Sequence, residues 1–145
     1  MVDDGSHVPA HMIISFAHLF DACVAPGGTY IIEDLETNYW NGKDASIYGY
    51  PLQGMGIGAS PRHSAVEKLK QLIDVLNGRT VGAQGLSILP GDADICSITW
   101  GENILAIKKC SANEQHANKG VGQVDKSHMQ QYVAYARSSN PEGFQ

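Results

Sequence analysis

The chain has 145 residues, 43% apolar and 17% charged, a composition that supports one globular domain with a substantial core. Its formal net charge of −5 leaves no electrostatic footprint for a nucleic acid or an anionic membrane surface. The longest apolar run, Met12 to Phe20, is broken by Ser15 and His18 and is too short to span a bilayer, and no secretory leader pattern is visible.

In chain order, the first element is the short lead-in to Asp3-Asp-Gly-Ser-His7, where an apolar residue runs directly into carboxylates. Buried parallel strands end this way at the mouth of an open α/β sheet, where ligands bind. Only Val2 stands before Asp3 as strand, so the sequence reads as the C-terminal part of a larger domain, a fragment or a truncated gene product. Pro9 suits a first helical turn, and Met12, Ile13, Phe16, Leu19, Phe20 and Cys23 recur at three- and four-residue intervals, predicting one amphipathic helix. Ala25-Pro26-Gly27-Gly28 stops it and turns the chain. Thr29 to Ile32 is β-branched and aromatic, a short buried strand that leads into Glu33-Asp34. The order strand, helix, strand predicts a βαβ crossover with acids at both strand ends.

From Glu36 to Arg62 no regular element is legible. Tyr39, Trp40, Tyr48 and Tyr50 among glycines and prolines suggest a loop over the strand ends, its aromatic residues either stacking on a substrate or, the favoured reading, anchoring the loop to the body. Gly54-Met-Gly-Ile-Gly58 lacks the preceding strand that gives a nucleotide-binding fingerprint its meaning, and reads instead as a lid hinge. Ser64-Ala-Val-Glu67 is a capping box, followed by Val66, Leu69, Leu72, Ile73 and Leu76 on one face up to Asn77-Gly78, which predicts a second helix. Ile95 to Trp100 and Ile104 to Ile107 flank Gly101-Glu-Asn103 and predict a hairpin. Beyond Lys109 the sequence is polar, with one short helix expected after Asp125. Cys23, Cys96 and Cys110 are distant in sequence and form no C-x-x-C pair, so reduced, core-filling thiols in a cytoplasmic protein are expected.

The chemistry concentrates at the two strand ends. Asp4, Glu33 and Asp34 offer oxygen donors of the kind that a hard dication such as Mg²⁺ takes. His7 remains as a general base, its ordinary pKa lying near neutrality. The plain alternative is that Asp-Asp-Gly is turn chemistry and the acidic pair caps a helix. His11, His18, His63, His116 and His128 read as surface or packing residues.

Asp3-Asp-Gly-Ser-His7, Ser15-Phe16, Leu19-Phe20, Pro26-Gly-Gly28 and Tyr30-Ile-Ile-Glu-Asp-Leu35 with Tyr39-Trp40 resemble the macrocin and mycinamicin O-methyltransferases. These are class I S-adenosylmethionine-dependent enzymes with relatives described as cephalosporin hydroxylases. The close match covers Val2 to Trp40, and Ser64 to Lys109 agrees in element order. The resemblance implies the later part of a Rossmann-like sheet, parallel strands plus a terminal antiparallel hairpin, without the family's first strands and glycine-rich cofactor loop. With it, residues 1–110 read as part of a methyltransferase-like domain, and the polar composition beyond Lys109 makes 111–145 a flexible tail. The resemblance further implies Mg²⁺ held by Asp4, Glu33 and Asp34, His7 as base, Asp3 beside S-adenosylmethionine, and a small-molecule hydroxyl acceptor such as a sugar. The segment by itself, with an uncovered sheet edge, is expected to be insoluble or molten, to bind no S-adenosylmethionine and to be inactive. Two competing readings are a catalytically inactive remnant or interaction module, and a metal-dependent hydrolase or oxygenase using the same acids.

Overall fold

The computed structural model describes residues 1–40, 56–78, 86–114 and 134. Strand β1 is Val2–Asp3, helix α1 Pro9–Cys23 and strand β2 Thr29–Ile32. Helices α2, Ala65–Lys70, and α3, Leu72–Gly78, follow, and strands β3, Ile95–Gly101, and β4, Ile104–Lys109, close the described part. The sheet order is β1-β2-β4-β3. β1 and β2 run parallel, with Val2 opposite Ile31 and Asp3 opposite Ile32, whereas β4 pairs antiparallel with both β2 and β3. The expected α/β architecture is therefore observed, a parallel pair with the terminal hairpin docked beside β2.

The core forms where α1 lies on the sheet. Phe16 and Phe20 stack at 4.9 Å, and the ring of Tyr30 on β2 meets them edge-on at 5.6 and 6.5 Å. All three are fully buried, together with Ile13, Ile32, Leu105 and Ile107. Pro9 opens α1 because its missing N–H would have had no helical partner there. The other end is closed from the sheet: Lys109 Nζ donates to the Asp21 carbonyl at 2.8 Å and lies 3.6 Å from its carboxylate, a cation against the last free carbonyls of the helix. Gly27 takes φ +81° in the turn into β2, a conformation that costs glycine little.

Several elements differ from expectation, each for a local reason. Leu35–Tyr39 is a 3-10 helix where no regular structure was legible. The single helix expected after Ser64 is two, α2 and α3, joined at Gln71 by a tighter bond, Asp74 N–H to the Gln71 carbonyl at 3.0 Å. That tightening shifts the buried face to Val66, Leu69, Leu72 and Val75, and Ile73 is left 41% exposed. Cys96 and Cys110 form a disulfide, which corrects the expectation of reduced thiols. The antiparallel register explains it. Ile95 pairs with Lys109, and a bulge between Ile95 and Ser97 leaves Cys96 out of the ladder, within reach of a residue 14 positions away. Cys23 is exposed instead of filling the core, so the cysteine pattern no longer argues for a reducing compartment. Among the described residues no helix is long and apolar enough to cross a membrane.

The capping box is present, with Ser64 Oγ accepting from Glu67 N at 3.2 Å. Its anchor is Asn38, a fully buried residue at the end of the 3-10 helix. Asn38 Oδ1 accepts from Ala65 N at 2.6 Å, from Val66 N at 3.3 Å and from the Ser64 hydroxyl at 3.4 Å. Its Nδ2 donates to the Leu35 carbonyl at 3.0 Å. One amide thus fastens the 35–39 turn to α2. Asn38→Ala strands buried donors at a helix start and is expected to cost about 2–3 kcal/mol, read as a lower urea midpoint with an unchanged slope. Gly54 and Met55 of the expected hinge, Tyr48 and Tyr50, and Met129, Tyr132, Val133 and Ala136 of the helix expected after Asp125 lie outside the described residues.

Candidate functional site

The parallel register brings the ends of β1 and β2 to the same edge of the sheet, so the segments after Asp3 and Ile32 leave side by side. Glu33 N donates to the Asp3 carbonyl at 3.2 Å, the last bond of that ladder. Asp34 then takes a left-handed conformation, φ 55° and ψ 46°, which short polar side chains tolerate better than others. This turn swings its carboxylate towards the Gly5-Ser6-His7 loop.

There the structure brings together three of the five candidate residues. His7 Nδ1 lies 3.1 Å from Asp34 Oδ2, and His7 Nε2 lies 3.8 Å from Asp4 Oδ1. Asp4, His7 and Asp34 each place a ligand-capable atom within 4.8 Å of the others. Asp4 is exposed, while His7 and Asp34 are partly covered, so the cluster is open on one side. Glu33 is half-buried at the end of β2 and stands outside this group.

Asp3, the fifth candidate, turns to the other side of β1. Its Oδ2 accepts from the Tyr30 hydroxyl at 2.6 Å. Burial first, then the bond to Asp3 and its negative charge, push the Tyr30 hydroxyl far above its ordinary range, so it stays protonated and holds Asp3 as acceptor. Ser6 Oγ lies 2.7 Å from His11 Nδ1, and burial lowers the His11 pKa, consistent with a packing role for that imidazole.

One residue of the site escaped the sequence. Asn103, at the tip of the β3–β4 hairpin, is the other non-glycine residue with positive φ among those described, at 61°. Its Nδ2 donates to Asp34 Oδ1 at 3.3 Å, its Oδ1 accepts from Glu36 N at 2.6 Å, and its carbonyl accepts from Leu35 N at 3.3 Å. Three bonds from one turn residue therefore fix the segment that carries Asp34. The hairpin itself was legible, but nothing local links Asn103 to an aspartate 69 positions earlier.

Open, carboxylate-rich and bordered by an imidazole, the cluster can hold a hard dication through its oxygens and move a proton through His7. No family profile matches the chain. Individual relatives do. The chain is 30% identical over 117 residues to the 8-demethyl-8-alpha-L-rhamnosyl tetracenomycin-C 2'-O-methyltransferase of Streptomyces olivaceus, which covers 80% of this chain and 28% of that protein. It is 41% identical over 76 residues to the mycinamicin VI 2''-O-methyltransferase of Micromonospora griseorubida, covering 52% of this chain and 16% of the relative. Among solved structures it is similar to the MycE methyltransferase of the mycinamycin biosynthetic pathway, in complex with Mg and SAH, with a TM-score of 0.58 and 30% identity. That likeness covers 89% of this chain and 31% of MycE. Over a segment less than a third of their length, the chain is a homologue of the class I S-adenosylmethionine-dependent O-methyltransferases of the macrocin and mycinamicin type.

Proposed function

We propose that this chain supplies the metal and general-base part of a Mg²⁺- and S-adenosylmethionine-dependent enzyme that methylates a sugar hydroxyl. The observation that carries the reading is the convergence of Asp4, His7 and Asp34 where two parallel strands end. The relatives support it by name, since one is the 2'-O-methyltransferase of a rhamnosyl tetracenomycin and another the 2''-O-methyltransferase of mycinamicin VI, and MycE was solved with Mg and SAH. The reaction is assigned to the full-length protein. The 145 residues alone, which match less than a third of those relatives, are expected to turn over no substrate. Within them the functional unit is residues 1–110, with 111–145 as an appended tail.

Asp4 and Asp34 are the proposed metal ligands of the cluster, with Glu33 as a third that must turn towards them. A dication held there would lower the pKa of a bound hydroxyl and align it. His7 takes the hydroxyl proton. Its Nδ1 faces Asp34, which favours the tautomer with the proton on Nδ1 and leaves Nε2 as the basic atom. Asp3 is the residue proposed to lie beside the cofactor, held in place by the Tyr30 hydroxyl. The test is methyl transfer by the full-length protein from S-adenosylmethionine to a 6-deoxyhexoside. A methyl ether formed only with Mg²⁺ present is expected; transfer indifferent to a chelator would refute the reading.

Asn103 offers a sharper check on the geometry. Asn103→Ala removes both side-chain bonds onto residues 34–36 and should weaken Mg²⁺ binding about tenfold in calorimetry, with kcat at saturating Mg²⁺ much less affected. Equal losses in both would mean that the hairpin tip only supports the fold.

A further inference from the structure

Helix α1 starts without a side-chain cap. Its N-cap is Val8, an apolar residue that can accept nothing from the first helical N–H groups, so the segment leading in from Gly5 is ordered by other means. Ser6 supplies them. Val8 N donates to Ser6 Oγ at 3.4 Å, and the same Oγ lies 2.7 Å from His11 Nδ1. The first bond closes a small ring of the kind serine makes with the backbone two residues on, and His7 is its apex. The second fastens that ring to α1, where His11 sits in the first turn with its N–H on the Val8 carbonyl at 2.9 Å. Its neighbours Ala10, Met12 and Ile13 are all buried, so the anchor is fixed by the core.

One hydroxyl can serve both bonds, since it accepts from Val8 while it donates to a neutral imidazole. Burial lowers the His11 pKa and so keeps that ring neutral. On the other side of the ring Gly5 restricts the backbone little, which leaves the steering of His7 to the helix side. His7 has little room for error. Its Nδ1 meets Asp34 at 3.1 Å, and a base must come within hydrogen-bond reach of the proton it takes, where a misplacement of about 1 Å can cost roughly 10²-fold in rate. We infer that His11 is a positioning residue for His7: through the Ser6 hydroxyl it fixes the turn whose apex is His7 and sets that imidazole against Asp34. The inference rests on the reading of His7 as the base and deepens it. Asp34 is secured separately, by Asn103 on the hairpin, so dication binding should depend little on His11.

The test compares His11→Leu, His11→Asn and Ser6→Ala with the parent full-length protein. Three quantities are read: kcat at saturating Mg²⁺ and methyl donor, the Mg²⁺ Kd by calorimetry, and the imidazole C–H cross-peak of His7, assigned by its loss in His7→Ala. His11→Leu and Ser6→Ala should each lower kcat about tenfold, change the Kd by less than about threefold and move the His7 cross-peak. His11→Asn, whose amide oxygen falls near the place of Nδ1, should recover most of the kcat and the parent cross-peak. An unchanged kcat in either of the first two variants, a Kd that rises as much as kcat falls, or a loss that asparagine does not restore would overturn the inference and leave the pair as a helix cap. The spectrum separates this from failure of the base itself. Turnover that is absent from the parent, or that survives His7→Ala, removes the base reading, and the positioning of His7 then stands if its cross-peak moves in His11→Leu and falls if it does not.

Discussion

Replacing His7 with alanine is expected to lower kcat of the full-length enzyme by roughly 10²-fold or more, the usual contribution of a positioned general base, and to leave cofactor affinity nearly unchanged. The same variant decides what His7 does. It lies in one cluster with Asp4 and Asp34, so its imidazole stands where either a base or a metal ligand could stand. Mg²⁺ strongly prefers oxygen donors, which favours the base. His7→Ala should then keep its calorimetric response to Mg²⁺ while losing turnover. Loss of both together would make His7 a ligand and send the search for the base elsewhere.

The second large effect is expected at Asp34. A dication that binds only the folded protein stabilises it by about 2.7 kcal/mol at a hundredfold excess over its Kd, enough to move a melting transition by several degrees. Asp34→Asn should abolish that shift. The substitution is informative because asparagine tolerates the left-handed backbone found at position 34, so the turn survives and the charge does not. Glu33→Gln in the same assay tests the third proposed ligand: a lost shift places Glu33 in the coordination set, and an intact shift removes it. A Mg²⁺-dependent shift that persists in Asp34→Asn would sink the metal site as drawn.

Much of the frame was legible because its signals are local. Pro9 and Ala25-Pro26-Gly27-Gly28 mark the ends of α1, Ser64 with Glu67 marks the start of α2, and Gly101-Glu-Asn103 marks the hairpin turn. Periodicity failed where helical geometry tightened, at Gln71, and the buried stripe moved from Ile73 to Val75. Bonds across the fold left no trace in spacing. Asn38 reads as an ordinary loop residue until α2 is seen to start on its side-chain oxygen, and Cys96 and Cys110 read as unrelated until the bulge at the start of β3 brings them within bonding reach. In the site, the acids and His7 announced themselves at strand ends. Which of the two acids after β2 turns to His7 depended on one backbone conformation at Asp34, a choice no pattern of residue types encodes.

The placement of β4 between β2 and β3 has a consequence for how the protein is made. β1 and β2 are translated well before β4, so β2 gains its other neighbour only when Ile104–Lys109 appears. At about 5–20 residues per second, the ribosome leaves that edge of β2 open for several seconds. The acids after β2 wait as well, since the residue that secures Asp34 lies 69 positions downstream and its loop must close against chain entropy. The site is therefore among the last parts of this segment to be assembled, and a nascent chain halted before the hairpin should expose the strand Thr29–Ile32 to chaperones while having no ordered place for a dication.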